Sequence, residues 1–362
     1  MRPKILSLIS AGIFMLFTLP CVAKTPAPYD ELRKAAERGD EISQIALGLI
    51  YYDAEGEGAD FTVAAKWFRK AADQGSAGAQ YAIATMYLEG QGMARDHVEA
   101  VKWFLKAANQ GDVSAQLAVG MRYYHGEGVA QDHAEAVKWY RKAADQGSAS
   151  ARNALGYAYA NGQGVALDYV EAAKSYREAA DQGDEYAQVN LGYAYVNGEG
   201  VAQDYAAGAK WYRKAADQGF AVAQYNLGIA YSFGQGMAKD YVEAAKWFRK
   251  AADQGSASAQ FNLGVLYSTG QGITRDNVEA AKWARKAANQ GLAVAQYNLG
   301  KMYSNGRGVV RNYVDAYMWL SLAAAQDNDE ARHSLDLLEK QVTSQQRDEA
   351  QRMARIWKAI PN

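Results

Sequence analysis

The chain has 362 residues, with 39 Lys and Arg against 40 Asp and Glu, 34 Gly, 5 Pro and one Cys; 49% are apolar and 22% charged. A formal net charge of -1 leaves no cationic footprint for nucleic acid, whose binding rests on many contacts to phosphate, and a lone cysteine makes no internal disulfide. The prolines are Pro3, Pro20, Pro26, Pro28 and Pro361. Proline costs about 3 kcal/mol inside a helix, so the body from Tyr29 to Ile360 reads as helical.

Residues 1–23 place Arg2 and Lys4 ahead of an apolar run from Ile5 to Leu19, closed by Pro20, Cys21, Val22 and Ala23. This is the layout of a secretory signal peptide, and the run falls short of the roughly 20 residues that a membrane span needs. Cleavage near Ala23 is expected, giving a periplasmic or secreted protein with no cysteine and no stable membrane span. Lipidation of Cys21 is the alternative, for which Thr18, Leu19 and Pro20 are a poor lead-in. Residues 24–39 are expected to form a linker and a half-repeat helix.

Residues 40–327 repeat. The motif Ala-Ala-Asp-Gln-Gly and its variants recur at a step of 36 residues, closing at Gly39, Gly75, Gly111, Gly147, Gly183, Gly219, Gly255 and Gly291. Tyr stands in register at 51, 87, 123, 159, 195, 231, 267 and 303, and Trp at 67, 103, 139, 211, 247, 283 and 319. A fixed period of this size means stacked supersecondary units.

In the sixth unit, Ala223, Leu227 and Tyr231 share one stripe of a first helix that begins near Phe220 and ends before Gly234. Gly234 and Gly236 turn the chain. Asp240 caps a second helix, with Glu243 placed to complete a capping box, as at Asp96 and Glu99, Asp132 and Glu135, and Asp168 and Glu171. Ala244, Trp247, Phe248 and Ala251 form its apolar face, and Gly255 ends it. Gly228 inside the first helix implies a close helix approach, with the Trp expected to fill the space beside it. Residues 328–362 are expected to close the stack as C-terminal capping helices. Ala331, Leu335, Leu338 and Val342 make one stripe and Ala350, Met353, Ala354 and Trp357 another, with Thr343 and Gln346 as a capping box. The fold class is therefore all-α, eight 36-residue helix-turn-helix repeats with a C-terminal helical cap.

The pattern Ala223-Gln224, Leu227-Gly228, Tyr231, Gly234, Gly236, Asp240, Ala244, Trp247, Lys250-Ala251-Ala252 and Gln254-Gly255 resembles the Sel-one-like repeat, a relative of the tetratricopeptide repeat. The resemblance spans Asp40 to Asp327. It implies a right-handed α/α superhelical solenoid and a role as an exported or membrane-associated adaptor. The chain departs from the family's cysteine-rich branch, which staples each unit with a disulfide.

Little in the sequence suggests chemistry. The histidines are His97, His125, His133 and His333, with no His-Glu-x-x-His pair, no Gly-x-Ser-x-Gly elbow and no cysteine nucleophile in the mature chain. His97 and His133 occupy equivalent places in adjacent units, too far apart to share a metal, and read as half-exposed rings. The recurrent Gly-x-Gly follows a helix rather than a strand and lacks a lysine, so it is a connector rather than a phosphate loop. The expectation is no enzyme, no cofactor and no metal.

Function must lie in what varies between units. Opposite the core stripe of the sixth unit lie Val222, Tyr225, Asn226, Ile229, Ser232 and Phe233, the side that lines the concave groove in the related tetratricopeptide fold. Along the chain, one position of this face is Ala46, Ala82, Ala118 and Ala154, then Asn190, Asn226, Asn262 and Asn298. Tyr225, Phe261 and Tyr297 stand beside it, and Tyr157 and Tyr193 join the same side. Asparagine can hold a peptide amide through donor and acceptor together, and rigid aromatics give contact area at low entropic cost. The leading expectation is an exported adaptor that binds a protein segment through Asn190, Tyr193, Tyr225, Asn226, Phe261, Asn262, Tyr297 and Asn298. The alternative is that the asparagines only solvate the groove while the aromatics pack against the adjoining first helix, and a cell-wall or polysaccharide ligand is the alternative partner. The fourth unit breaks the pattern at Arg152, Ser175 and Glu178, where a Gln, a Trp and a Lys are usual, and local softness is expected over residues 150–210.

Overall fold

The computed structural model describes residues 26–53 and 59–360, with side chains described from Tyr29; the expected signal peptide, residues 1–23, lies outside them. The chain divides into two compact units, residues 1–182 and 183–362. In the first, a single helix α1 (Pro26–Glu37) precedes four helix pairs: α2 (Glu41–Asp53) with α3 (Phe61–Asp73), α4 (Ala77–Glu89) with α5 (His97–Asn109), α6 (Val113–His125) with α7 (His133–Asp145), and α8 (Ala149–Asn161) with α9 (Tyr169–Asp181). The second has four more, α10 (Glu185–Asn197) with α11 (Tyr205–Asp217), α12 (Ala221–Phe233) with α13 (Tyr241–Asp253), α14 (Ala257–Thr269) with α15 (Asn277–Asn289), and α16 (Ala293–Asn305) with α17 (Tyr313–Ala324). Helices α18 (Asp329–Leu338) and α19 (Ser344–Ile356) follow. No strand occurs among the described residues. Within each unit the pairs stack as an all-α solenoid.

Each pair is built the same way. The core sets alanines among a few large residues, for instance Ala223 and Leu227 on α12 against Ala244, Phe248 and Ala251 on α13, all buried. The small residues let the axes approach. Gly228 shows how closely, since a Cβ there would lie 2.6 Å from the Phe248 ring. This corrects the sequence expectation: the ring facing the helix glycine is the residue after the Trp, as with Phe68 at Gly48, Tyr140 at Gly120 and Tyr212 at Gly192. One residue further along a helix is 100° further around it, so the Trp points elsewhere.

The Trp serves contact between repeats. Lys106, Lys142, Lys250 and Lys286 lie over the rings of Trp103, Trp139, Trp247 and Trp283 of their own helices at 3.6 to 3.9 Å. An arginine of the preceding repeat covers three of those rings: Arg69 over Trp103 at 4.7 Å, Arg213 over Trp247 at 4.9 Å and Arg249 over Trp283 at 5.0 Å. Such cation-π contacts are worth about 0.5–2 kcal/mol each, more when desolvated. The same arginines donate to the recurrent tyrosine, Arg69 to Tyr87 at 3.2 Å and Arg213 to Tyr231. That explains why the tyrosine row is mostly half-buried rather than fully in the core.

Asp96, Asp132, Asp168 and Asp240 accept the backbone N–H of the residue three further on, as expected of caps. The expected reciprocal half of the box does not form in these four helices. Instead each glutamate turns along the helix to a lysine three residues on: Glu99 to Lys102, Glu135 to Lys138, Glu171 to Lys174 and Glu243 to Lys246. The full capping box is made by Thr343 and Gln346 at α19. Ala331, Leu338 and Ala350 are buried, with Leu335, Val342, Met353, Ala354 and Trp357 packed on the same cluster. Trp357 meets Trp319 edge-on at 6.1 Å.

A chain of glutamines ties the repeats together, which the sequence reading did not find. Gln224 donates to the Ala216 carbonyl at 3.3 Å and accepts from Gln254 at 2.8 Å, while Gln254 also donates to the Gly219 carbonyl at 2.9 Å. Gln44 with Gln74, Gln80 with Gln110, Gln116 with Gln146, Gln260 with Gln290 and Gln296 with Gln326 repeat the link. A buried amide must be satisfied, and here its donor and acceptor sides both are. The second glycine of each connector completes the joint. A Cβ on Gly236 would lie 2.3 Å from the Tyr205 backbone and one on Gly272 2.2 Å from that of Tyr241, so only glycine lets one repeat's turn rest on the previous repeat's second helix.

The fourth repeat departs coherently. Arg152 replaces the glutamine and forms an ion pair with Glu178, which replaces the lysine. Arginine has no acceptor to offer the next glutamine, and Gln182 donates to the Glu178 carbonyl of its own helix instead. With Ser175 in place of the Trp there is no ring for a lysine to cover, so the three changes form one set.

Candidate functional site

The first helices of the second unit hold Asn190, Asn226, Asn262 and Asn298 at one register position of α10, α12, α14 and α16, each half-buried. Asn262 donates to the Ser258 carbonyl at 2.9 Å and Asn298 to the Val294 carbonyl at 2.8 Å, both within their own helices. Those bonds occupy one amide hydrogen and leave the other and the acceptor oxygen available. Tyr225, Phe261 and Tyr297 are half-buried beside them. Tyr225 leans on Phe248 at 5.9 Å, and Phe261 and Tyr297 pack against the C-terminal core. The rings are therefore part anchor and part surface.

Tyr193 is 55% and Phe233 68% exposed, and Val222 and Val294 are exposed on the same helices. Ser232, expected on this face, is buried and donates to the Gly228 carbonyl at 2.9 Å. Tyr186 was not singled out by the sequence reading; it is largely exposed and meets Phe220 edge-on at 4.6 Å. Its signal was a large ring where the neighbouring repeats have Val222, Ser258 and Val294.

The electrostatics of the four helices are sparse. Neither α12 nor α14 contains a charged residue, α10 has Glu185 and α16 has Lys301. Burial, with the Tyr193 phenol nearby, holds the Tyr212 hydroxyl well above the ordinary phenol range. Desolvation disfavours its charged form, so this ring stays neutral across physiological pH.

His97 and His133 are half-buried, as their register suggested, and His133 packs at 4.8 Å from Tyr124. Their Nδ1 atoms are buried without hydrogen-bond partners. Among the described residues there is no group of three or more His, Cys, Asp or Glu that could hold a metal, and no helix long and apolar enough to cross a membrane.

Antiparallel helix pairs at a fixed step, each closed by its neighbours, define a helical-repeat solenoid, a class that works by presenting surface. The Sel1 repeat matches residues 42–76, 77–112, 113–148, 149–184, 185–220, 221–256, 257–292 and 293–328, and the chain belongs to the Sel1-repeat family. A Sel1 repeat protein from Oxalobacter formigenes is 34% identical over 87% of this chain and 91% of its own, with a TM-score of 0.65. The protein c5321, a protective antigen present in uropathogenic Escherichia coli strains and displaying an SLR fold, is 35% identical over 91% of this chain and 86% of its own, with a TM-score of 0.49. No curated protein matches the sequence.

Proposed function

We propose that the protein is an exported, non-catalytic adaptor that holds an uncharged, extended protein segment in a groove lined by α10, α12, α14 and α16. The observation that carries this reading is the face itself: four aligned asparagines and exposed or half-buried rings on helices nearly free of charge. Asparagine amides match a peptide backbone, and aromatics with few competing charges suit apolar side chains. Export rests on the signal-peptide layout of residues 1–23. A polysaccharide ligand gains no support of its own, because Tyr225, Phe261 and Tyr297 spend much of their surface on the core.

The test is photo-crosslinking in the native envelope from a benzophenone residue placed at Tyr193 or Phe233, with Lys282 on a second helix as control. A protein should be captured from the first two sites and not from the third, and capture should persist from about 0.05 to 0.5 M NaCl because no charges drive it. Replacing Asn226, Asn262 and Asn298 together by Ala should cut capture about tenfold while shifting the melting temperature by no more than about 2 °C, as surface positions do. Equal capture from all three sites, or a much lower melting temperature with capture intact, would overturn the reading.

A further inference from the structure

A cavity of about 680 Å³ opens on the first complete helix pair, a size that suits a small ligand. Leu47, Ile83 and Met93 give it an apolar floor, and the rings of Tyr29, Tyr51, Trp67 and Tyr87 stand around it. Arg33, Lys66, Arg69 and Lys70 line it, with no carboxylate among its described lining residues.

Two departures from the repeat pattern create this imbalance. In the second, third, sixth and seventh repeats, the third residue of the second helix is a glutamate that pairs with the lysine three residues on. The first repeat has Val63 at that place, so Lys66 lacks that acid. The second departure concerns the indole. Arg33 holds the position from which Arg69, Arg213 and Arg249 cover the next tryptophan; it pairs with Glu37 at 2.9 Å, as Arg69 does with Asp73, but lines the cavity instead of covering the Trp67 ring. Trp67 is left half-buried, with Lys70 over its ring at 4.3 Å. Arg69 is shared between Asp73 and Tyr87, which leaves Lys66 and Lys70 as the cations without a carboxylate partner among the described residues.

We propose that this cavity binds a small aromatic carboxylate, its ring against the Trp67 face that an arginine covers in later repeats and its carboxylate met by Lys66 and Lys70. Ring stacking supplies apolar burial, and an ammonium–carboxylate hydrogen bond is roughly twice as strong as a neutral one. The site lies on the first unit and does not depend on the asparagine face.

Calorimetric titration of the purified protein with 1-naphthoate and with its uncharged amide, 1-naphthamide, tests it. The acid should bind with one-to-one stoichiometry about tenfold more tightly than the amide, and lose about fivefold in affinity between 0.05 and 0.5 M NaCl. Lys66→Gln with Lys70→Gln should weaken it about tenfold, with the melting temperature lowered by no more than about 2 °C through the lost Lys70 contact to the Trp67 ring. Lys246→Gln with Lys250→Gln, the same positions in the sixth repeat, should leave it unaltered. No heat at millimolar ligand, equal affinity for acid and amide, or equal loss in both double variants would each overturn the proposal.

Discussion

A methyl group added to Gly228 would lie 2.6 Å from the Phe248 ring, whereas one added to Gly264 would come no nearer than 3.2 Å to its neighbours, because Ala284 stands where Phe248 does. Gly228→Ala is therefore expected to cost about 1–3 kcal/mol by overpacking. Gly264→Ala should be near neutral, its tighter contact offset by the roughly 1 kcal/mol that alanine gains over glycine in a helix. Urea denaturation of the two variants checks this; equal costs would mean that the Phe248 ring moves aside. Two aspartate caps differ in a similarly local way. Burial raises the Asp112 carboxyl above its ordinary value of 3.8 despite the N–H bonds from Ala115 and Ser114, while the Ser43 hydroxyl and amide hold Asp40 below it. A raised native value means that the folded state favours the proton, so Asp112 subtracts stability as pH climbs through that value. Asp40 does the reverse and contributes stability that is lost as pH falls. Asp112→Asn, which keeps a capping oxygen, should raise the melting temperature at pH 7 and lose that advantage at about pH 3, where both states are protonated. Asp40→Asn should lower it at pH 7. The same change at both caps in one direction would show that desolvation does not distinguish them. Within the repeats the sequence reading named caps only at the second helices, and these two first-helix caps emerge from the N–H bonds of Ser43 and Ala115. Their opposite electrostatics were not legible either, because burial depends on what packs against the cap and not on the residues flanking it.

At the scale of one helix pair, α8 and α9 show how a sequence can be read correctly position by position and still mislead. Arg152, Ser175 and Glu178 each break the pattern, and counted separately they amount to a lost glutamine link, a lost indole and a lost cation. Together they exchange the lysine-over-tryptophan contact for an ion pair whose side chains are 30% and 40% exposed. At such exposure the pair is worth about 0.2–1 kcal/mol, which offsets only part of a missing buried ring. Ser175→Trp alone should therefore stabilise less than Ser175→Trp combined with Glu178→Lys and Arg152→Gln, which rebuilds the full set; a smaller gain for the triple variant would show that the ion pair is the better arrangement. Amide exchange in wild-type α9 should precede that in α7, where Trp139 is in place, and uniform protection of the two helices would mean that neighbouring side chains have closed the gap. Helix boundaries, caps and the C-terminal stripes could be read directly, since each follows from spacing along one helix. The tryptophan's direction and the glutamine links could not. They depend on which residues of the next repeat come within reach.

Across the whole second unit, the glutamine chain makes each repeat complete only through its neighbours, and in the same way each time. Gln224 needs Ala216 behind it and Gln254 ahead; Gln260 needs Ala252 behind it and Gln290 ahead. Removing residues 221–256 would set Gln260 against Ala216 and Gln290 against Gly219, so every buried amide would again find the partner type it had. The shortened protein is expected to unfold cooperatively, with a modestly lower midpoint from the loss of one interface. Removing α12 and its connector alone would leave second helices facing each other with orphaned amides, and should yield no cooperative transition. If the two deletions behaved alike, the hydrogen-bond register would not be what limits them. A gene encoding such a chain can gain or lose length in steps of one period without a compensating mutation elsewhere. The number of repeats is then open to change by duplication, while the length of the period is not.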